Sequence, residues 1–284
     1  MKGAKSISLV TGASSGLGRV LAELLCEKDH KVYVVARRKN LLEKLKKECA
    51  DIGGEIEIIS GDLSDSGFRE KLISSILKKE KRIDYLFNNA GFGRAAIFEN
   101  QSLDEMGKMV EVNFVAYAHL IKLVLPSMKK RNSGRIINIG SVVSFTPLPY
   151  FTVYNSTKSA VYGLNRSLRY ELINTKVTST VVLPARMKTG FADSAFDCYE
   201  EKGRKVCVEE FNKIAGSPYK VAKNVIKKID KGKTVITPTF LSKILYFMRY
   251  FGFVIDFSIK KFLAPKQLKQ LEVVEMKESY KKKS

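Results

Sequence analysis

Thr11-Gly12-Ala13-Ser14-Ser15-Gly16-Leu17-Gly18 is the stretch that decides the fold. It follows the apolar run Ile7-Ser8-Leu9-Val10 and leads into a helix-patterned run from Arg19 to Lys28. The order is therefore strand, glycine-rich turn, helix. A helix N-terminus presents unpaired N–H groups and the positive end of the helix dipole, which suits a pyrophosphate. Glycine lets the backbone turn sharply and lets phosphate approach where a Cβ would collide. The spacing is G-x-x-x-G-x-G rather than G-x-G-x-x-G. A glycine-rich loop alone is often a plain turn; its place between a β-patterned and an α-patterned run makes this one a nucleotide loop, with Gly12, Ser14, Ser15, Gly16, Leu17 and Gly18 as its contacts.

The alternation continues along the chain. Strand-like apolar runs fall at residues 7–10, 31–35, 55–60, 83–88, 134–139, 177–183 and 234–236. Amphipathic helical patterns lie between them at 17–28, 39–51, 66–80, 103–130, 154–175 and 218–230. Seven strands alternating with six helices predict an α/β, Rossmann-type, doubly wound parallel sheet with helices on both faces. Crossovers are then right-handed, and ligands sit at the carboxyl ends of the strands near the topological switch point. Residues 1–239 read as a single catalytic domain with a substrate flap at 190–217, and 240–284 as an apolar, aromatic extension with a basic tail.

Composition supports a globular chain: 284 residues, 45% hydrophobic and 28% charged. The N-terminus runs straight into the first strand, which leaves no room for a signal peptide. Cys26, Cys49, Cys198 and Cys207 form no C-x-x-C pair, and His30 and His119 are the only histidines, so no metal site is expected and a reducing, cytoplasmic setting is the simplest reading. Fifty Lys and Arg against 29 Asp and Glu give a net charge of +21. No basic stretch with interleaved aromatics and no nucleic-acid motif accompanies it, so nucleic acid is not the expected partner. The charge reads first as a solvated lysine-rich surface, with attraction to an anionic membrane or an acidic carrier protein as the alternative.

The second strand ends Val34-Val35-Ala36-Arg37-Arg38, beside the expected adenosine ribose. An acidic residue there would take both ribose hydroxyls. Ala36 followed by Arg37 and Arg38 instead suits a 2′-phosphate, which guanidinium binds in a two-point geometry, so the predicted cofactor is NADP(H). An ordinary basic helix start is the plainer alternative. Asp62-Leu63 follows the third strand, and by itself Asp62 reads as the cap of the next helix. Asn88-Asn89-Ala90-Gly91 follows the fourth; its small residues let the backbone lie against a cofactor, and an Asn can secure adjacent strands.

Tyr154-Asn155-Ser156-Thr157-Lys158 carries the chemistry. Tyr154 and Lys158, four apart, share a helix face. An isolated Tyr titrates near about 10, too high for proton exchange near neutrality. A lysine cation about 4 Å away contributes roughly 4 kcal/mol at an effective dielectric near 20, enough to bring a tyrosine down by about three pH units. The motif alone is nonspecific: with 12 tyrosines and this much lysine about one or two chance matches are expected, and Tyr219 with Lys223 is one. Context separates them. Tyr154 follows the fifth strand, with Ser141 just past that strand's end, placed to hydrogen-bond a substrate carbonyl; a capping serine is the alternative. Asn113 sits mid-helix, where Asn is a mediocre helix former, and is able to bend the helix or hold a water near Lys158.

Together these residues resemble the short-chain dehydrogenase/reductases over roughly residues 6–190. Gly12, Gly16, Gly18, Asp62, Asn88 to Gly91, Asn113, Ser141, Tyr154, Lys158 and Thr189 occur in the family's order. The resemblance implies hydride transfer between a nicotinamide and a carbonyl or alcohol carbon. It implies Asp62 and Leu63 at the adenine, Asn89, Ala90 and Gly91 along the cofactor, Lys158 on the nicotinamide ribose and Asn113 in a proton relay through water. Pro184 and Thr189 would meet the carboxamide end. One departure is Pro184-Ala185, where the family usually has Pro-Gly. A homodimer or homotetramer is also implied, through the helices holding Asn113 and Tyr154.

The substrate end is aromatic: Phe191, Phe196, Tyr199 and Phe211 in the flap, then Phe240 to Phe257. Lys243, Arg249 and Asp256 interrupt that run, which argues against a bilayer span. It reads as an interfacial helix or hairpin making peripheral membrane contact through 240–263, or as a cover for the substrate pocket or a subunit interface. The extension resembles the family branch acting on 3-ketoacyl, sphingoid or steroid substrates. The resulting expectation is an NADP-dependent reductase of an apolar ketone or dehydrogenase of its alcohol. The rival readings are a non-catalytic NADP-binding regulator and a peripheral membrane module on the same fold.

Overall fold

β1 (Ile7–Thr11) is buried along its length, and its side chains divide between the two faces of a sheet: Val10 joins one apolar layer, Ile7 and Leu9 the other. A strand buried on both faces belongs inside a parallel sheet. The computed structural model, which describes residues 4–195, 200–201, 204–205 and 215–263, places it there. The strands are β2 (Lys31–Ala36), β3 (Glu55–Ser60), β4 (Tyr85–Asn88), β5 (Gly134–Ile139), β6 (Val177–Val182), a separate antiparallel pair β7 (Glu200–Glu201) and β8 (Arg204–Lys205), and β9 (Val235–Ile236). The sheet has seven parallel strands in the order β3-β2-β1-β4-β5-β6-β9. The order reverses between β1 and β4, which puts the switch point at the glycine-rich loop.

The helices are α1 (Gly16–Glu27), α2 (Lys39–Ala50), α3 (Ser66–Glu80), α4 (Leu103–Val110), α5 (Ala116–Lys130), α6 (Thr152–Glu171), α7 (Phe191–Ala195), α8 (Pro218–Lys228), α9 (Phe240–Met248) and α10 (Gly252–Ser258). Leu21 and Leu25 of α1, Leu42 and Leu45 of α2 and Val225 of α8 cover one face. Ile73 and Ile76 of α3, Leu120 and Val124 of α5 and Leu168 of α6 cover the other.

One expectation is refined and one corrected. Residues 103–130 are helical throughout, as the pattern predicts, but Glu111–Val115 is a π-turn between α4 and α5. One extra residue per turn leaves the apolar periodicity almost intact, so the pattern hides it. This run is long and apolar enough to cross a bilayer by composition, but Asn113, Tyr117, Leu120 and Val124 are buried in the domain. Second, Asp62 does not cap α3. Asp65 does, its Oδ1 accepting from Gly67 N at 2.8 Å and Phe68 N at 3.2 Å, while Asp62 closes a local turn by accepting from Ser64 N at 2.9 Å.

In the extension, α9 starts with a reciprocal cap between Thr239 and Ser242 and lays Leu245 and Tyr246 against Val142 and Phe145, just after Ser141. Phe196, Tyr199 and Phe211 of the flap, Cys198, Cys207 and the tail from 264 lie outside the described residues.

Candidate active site

The glycine-rich loop is tied to the end of β4 by one hydroxyl. Thr11 Oγ1 donates to Phe87 O at 3.1 Å and accepts from the N–H groups of Asn89 at 2.9 Å and Ala90 at 3.1 Å. The Asn89 amide donates back to Thr11 O at 2.9 Å and Gly12 O at 3.3 Å. Gly12 is required twice over: its φ is +68°, and a Cβ would stand 2.7 Å from Ala90 Cα. At Gly18 a side chain would strike the Asn89 amide. The loop and the Asn-Asn-Ala-Gly turn therefore form one surface at the sheet's carboxyl edge. Asn88 secures strands: its Nδ2 donates to Asn138 Oδ1 at 2.9 Å across β4 and β5.

Arg38 reaches back over this loop, its Nη2 donating to Ser14 Oγ at 2.9 Å and Ser15 Oγ at 2.8 Å. Arg37 projects outward, 77% exposed and 3.9 Å from Asp62 Oδ2. Leu63 is buried in the apolar layer under α3 and α5. Thr189 meets the loop from the far side, 3.2 Å from where a Gly16 Cβ would be. Its hydroxyl accepts from Phe191 N at 3.3 Å, at the start of α7. Pro184 O accepts from Val142 N at 3.2 Å, and Ala185 sits there without a left-handed backbone, so the missing glycine strains nothing.

Tyr154 lies in the first turn of α6 and Lys158 one turn on. Tyr154 is half-buried between aromatic rings, 5.2 Å from Phe191 and 6.0 Å from Phe151 by centroid. Lys158 is 4% exposed; its Nζ donates to Ile139 O at 2.9 Å and lies 5.5 Å from the Tyr117 ring centroid and 5.8 Å from that of Tyr154. Ser141 caps the turn after β5 and also faces Tyr154: its Oγ accepts from Val143 N at 3.3 Å, and its hydroxyl interacts with Tyr154. Asn113 is fully buried in the π-turn. Its Oδ1 accepts from Phe92 N at 3.0 Å, and its Nδ2 donates to Phe92 O at 2.8 Å and Thr157 Oγ1 at 3.2 Å. Both amide hydrogens are thus used, leaving a water only an acceptor position. Gly91 closes the group: a Cβ there would stand 2.9 Å from Asn113 Oδ1 and 3.6 Å from Lys158 Nζ.

The electrostatics differ from the expectation drawn from spacing. Burial pushes the Tyr154 phenol well above its ordinary value, and the Ser141 hydrogen bond draws it partly back. Burial also lowers Lys158 to about 8. The ammonium lies 5.8 Å from the centroid of the Tyr154 ring, and desolvation sets the direction of the phenol's shift. At about 8, Lys158 still lies above pH 7, so its charged form prevails there.

Among the candidates, Gly12, Ser14, Ser15, Gly16, Gly18, Arg38, Asn89 and Thr189 meet at the loop, and Gly91, Asn113, Ser141, Tyr154 and Lys158 meet at the α6 end. Arg37 and Asp62 form an outer pair. Tyr219 and Lys223 form only a surface pair, Nζ 5.9 Å from the ring centroid of a 48% exposed Tyr219. Thr11 and Thr157 were not singled out from sequence, although both lie inside quoted motifs. Ala95, Phe151 and Ala195 form a buried apolar patch with Leu148, Tyr154 and Phe191, which joins segments far apart in sequence. No cluster of three or more His, Cys, Asp or Glu occurs among the described residues.

The short chain dehydrogenase family model matches residues 6–199. A 3-ketodihydrosphingosine reductase from Bacteroides thetaiotaomicron is 32% identical over 188 residues, 66% of this chain and 66%, just under two thirds, of that protein. An 11-beta-hydroxysteroid dehydrogenase-like protein of Arabidopsis thaliana is 29% identical over 248 residues, covering 87% of this chain and 77% of the relative. A short-chain dehydrogenase from Sphingobium yanoikuyae, solved in complex with NADPH, superposes with a TM-score of 0.74 at 28% identity, covering 83% of this chain and 88% of that one. With the family model spanning well over half of the sequence, the chain belongs to the short-chain dehydrogenase/reductase family of oxidoreductases.

Proposed function

We propose that this chain exchanges a hydride between NADP(H) and the carbonyl or secondary alcohol of an apolar, lipid-like molecule of 3-ketoacyl, sphingoid or steroid type. The observation that carries the reading is the Tyr154 phenol held between Ser141, buried Lys158 and an apolar patch of Phe151 and Phe191. The residues fit the cofactor: a Cβ would fill the cradle at Gly12, and Arg38 holds its cation over Ser14 and Ser15, with Ala36 where an acidic residue would select NAD. When bound, NADPH supplies the hydride.

The chain's own residues do the rest. Ser141 polarises the carbonyl through its hydroxyl. Tyr154 gives its proton to the carbonyl oxygen, and burial keeps the phenol protonated until the oxygen becomes basic enough to take it. Lys158 supplies a fixed positive charge 5.8 Å from the Tyr154 ring centroid, and it would hold a ribose hydroxyl of the bound cofactor. Asn113 positions: it locks the π-turn to Phe92 and Thr157 and keeps that turn against Lys158 and Gly91. Gly91, Leu63, Asp62, Pro184 and Thr189 are the further residues that would hold the cofactor.

The related reductase and dehydrogenase names support the lipid-like substrate class. The exposed apolar face of 240–263 is read as the contact with the membrane in which such substrates partition, and the enzyme as a homodimer or homotetramer. The test is oxidation of NADPH and NADH with a long-chain 3-ketoacyl thioester, a steroid, a sphingoid ketone and a small diketone, wild type beside Tyr154→Phe. NADPH-dependent turnover that collapses in the variant is the expected result. Tight NADPH binding without turnover on any of them would favour a nucleotide-binding regulator.

A further inference from the structure

A second cleft lies away from Tyr154, between the C-terminal half of α6, residues 232–235 and α9. Its volume is about 640 Å³, and Arg166, Arg169, Lys233 and Arg249 line it without a single carboxylate. Four cations gathered without counter-ions are costly unless an anion completes them. Among the described residues no carboxylate pairs with them. The Arg249 guanidinium lies 3.7 Å from the ring centroid of Tyr246 and 4.0 Å from that of Tyr250, and Arg166 lies 5.8 Å from Tyr162. Arg169 donates to Thr234 Oγ1 at 3.1 Å and Arg249 to Tyr246 O at 2.6 Å. A guanidinium has five N–H donors, so both keep donors to offer. Fixed, planar, unpaired guanidiniums are suited to a phosphate.

The cleft opens beside an apolar surface. Ten of the seventeen exposed large hydrophobic residues identified in the described chain fall within residues 240–262, Phe240, Phe247, Tyr250, Phe253, Phe257 and Phe262 being the most exposed. Lys243, Arg249, Lys260 and Lys261 stand among them against Asp256 alone. Tyr250 belongs to both the ridge and the cleft. Aromatic side chains with interleaved cations match the polar–apolar boundary of an anionic bilayer, rings in the acyl margin and cations at the phosphates.

We propose that this cleft seats the phosphate of an anionic phospholipid headgroup while the aromatic ridge of 240–263 enters the bilayer interface. This deepens the membrane contact proposed above and is independent of the hydride chemistry.

The test is sedimentation of the full chain with phosphatidylcholine vesicles, with and without phosphatidic acid. Arg166→Gln/Lys233→Gln removes two exposed cleft cations, and Lys44→Gln/Lys47→Gln removes the same charge from α2. The cleft pair is expected to weaken binding to phosphatidic acid vesicles about thirty-fold, at about 1 kcal/mol per cation. Adding Arg169→Gln and Arg249→Gln deepens the loss. The α2 pair is expected to change it by less than about threefold. Phe247→Ser/Phe253→Ser is expected to weaken binding to both kinds of vesicle. NADPH affinity, measured alongside, stays unchanged in the cleft pair and reports a folded protein. Equal losses from the two charge pairs, or equal binding to neutral and anionic vesicles, would overturn the headgroup site while leaving membrane contact standing. No sedimentation with any vesicle would overturn both. Inorganic phosphate raising the melting temperature of wild type but not of the cleft pair, without vesicle binding, would assign the cleft to a soluble anion instead.

Discussion

Lys158→Met is expected to make this protein more stable and inactive at once. Lys158 is buried, and burial lowers it from 10.5 to about 8. That difference is worth about 3 kcal/mol at 1.36 kcal/mol per pH unit, and it opposes folding wherever the unfolded lysine is charged. Met has similar length and carries no charge. The variant gives up the Nζ bond to Ile139 O, worth about 1 kcal/mol, and weak ring contacts to Tyr117 and Tyr154. A net gain of about 1–2 kcal/mol remains at pH 7, about 2–8 °C in Tm for a domain of this size. The sign follows from the lowered value. Between about 8 and 10.5 the unfolded chain binds more protons than the folded one, so wild-type stability rises with pH relative to the variant. The gain is therefore full below pH 8, shrinks above it, crosses zero near about pH 9–9.5 and is fully reversed by 10.5, where only the lost contacts count. Urea unfolding of both proteins at pH 7, 9 and 10.5 measures this. A Met variant less stable at pH 7, or a difference that does not change with pH, would refute the reasoning.

The same group sets the pH dependence of activity. Because Tyr154 is held protonated far above neutrality, the alkaline fall in kcat/KM for NADPH should come near pH 8 from Lys158, and Lys158→Arg should remove that limb. Arg38→Leu loses a charged group fixed over Ser14 and Ser15; at about 1.5–3 kcal/mol its KM for NADPH should rise about 10- to 150-fold with little change for NADH, measured by steady-state kinetics. Asn113→Ala leaves the Phe92 N–H and carbonyl without their partner and should cost about 2–3 kcal/mol in urea unfolding, with activity falling further than stability explains. Gly12→Ala puts a methyl against Ala90 at φ +68° and should abolish nucleotide binding by calorimetry.

The parts of the site legible in sequence are those fixed by backbone geometry. Gly12 and Gly18 are glycine because Ala90 and Asn89 stand where side chains would go, and the four-residue spacing of Tyr154 and Lys158 is one helical turn. What was hidden depends on chain segments meeting. Asp62 and Asp65 both precede α3 as capping residues do, and only the hydrogen bonds tell them apart. The π-turn at Asn113 is held by Phe92 and Thr157, neither of which periodicity can see. The same turn is anchored by buried Arg69, bonded to half-buried Glu111 Oε1 at 2.6 Å and to Leu63 O at 2.6 Å, partners that no local pattern connects. The direction of the Tyr154 shift was misjudged because spacing gives distance along a helix and says nothing of desolvation. The cationic cleft joins α6 to Lys233 and Arg249, which no local motif connects.

The central claim is that Tyr154 delivers the proton while hydride passes to a carbonyl carbon. Its most direct test is a single-turnover reaction of wild type and Tyr154→Phe with NADPH deuterated at the transferable position and a long-chain ketone, the product read by mass spectrometry. The account predicts deuterium at the carbinol carbon with wild type and a loss of about 10²–10⁴ in rate with Phe, which keeps the ring between Phe151 and Phe191 but has no proton to give. Undiminished transfer in the variant, or NADPH bound by wild type without any label reaching a ketone, would contradict it.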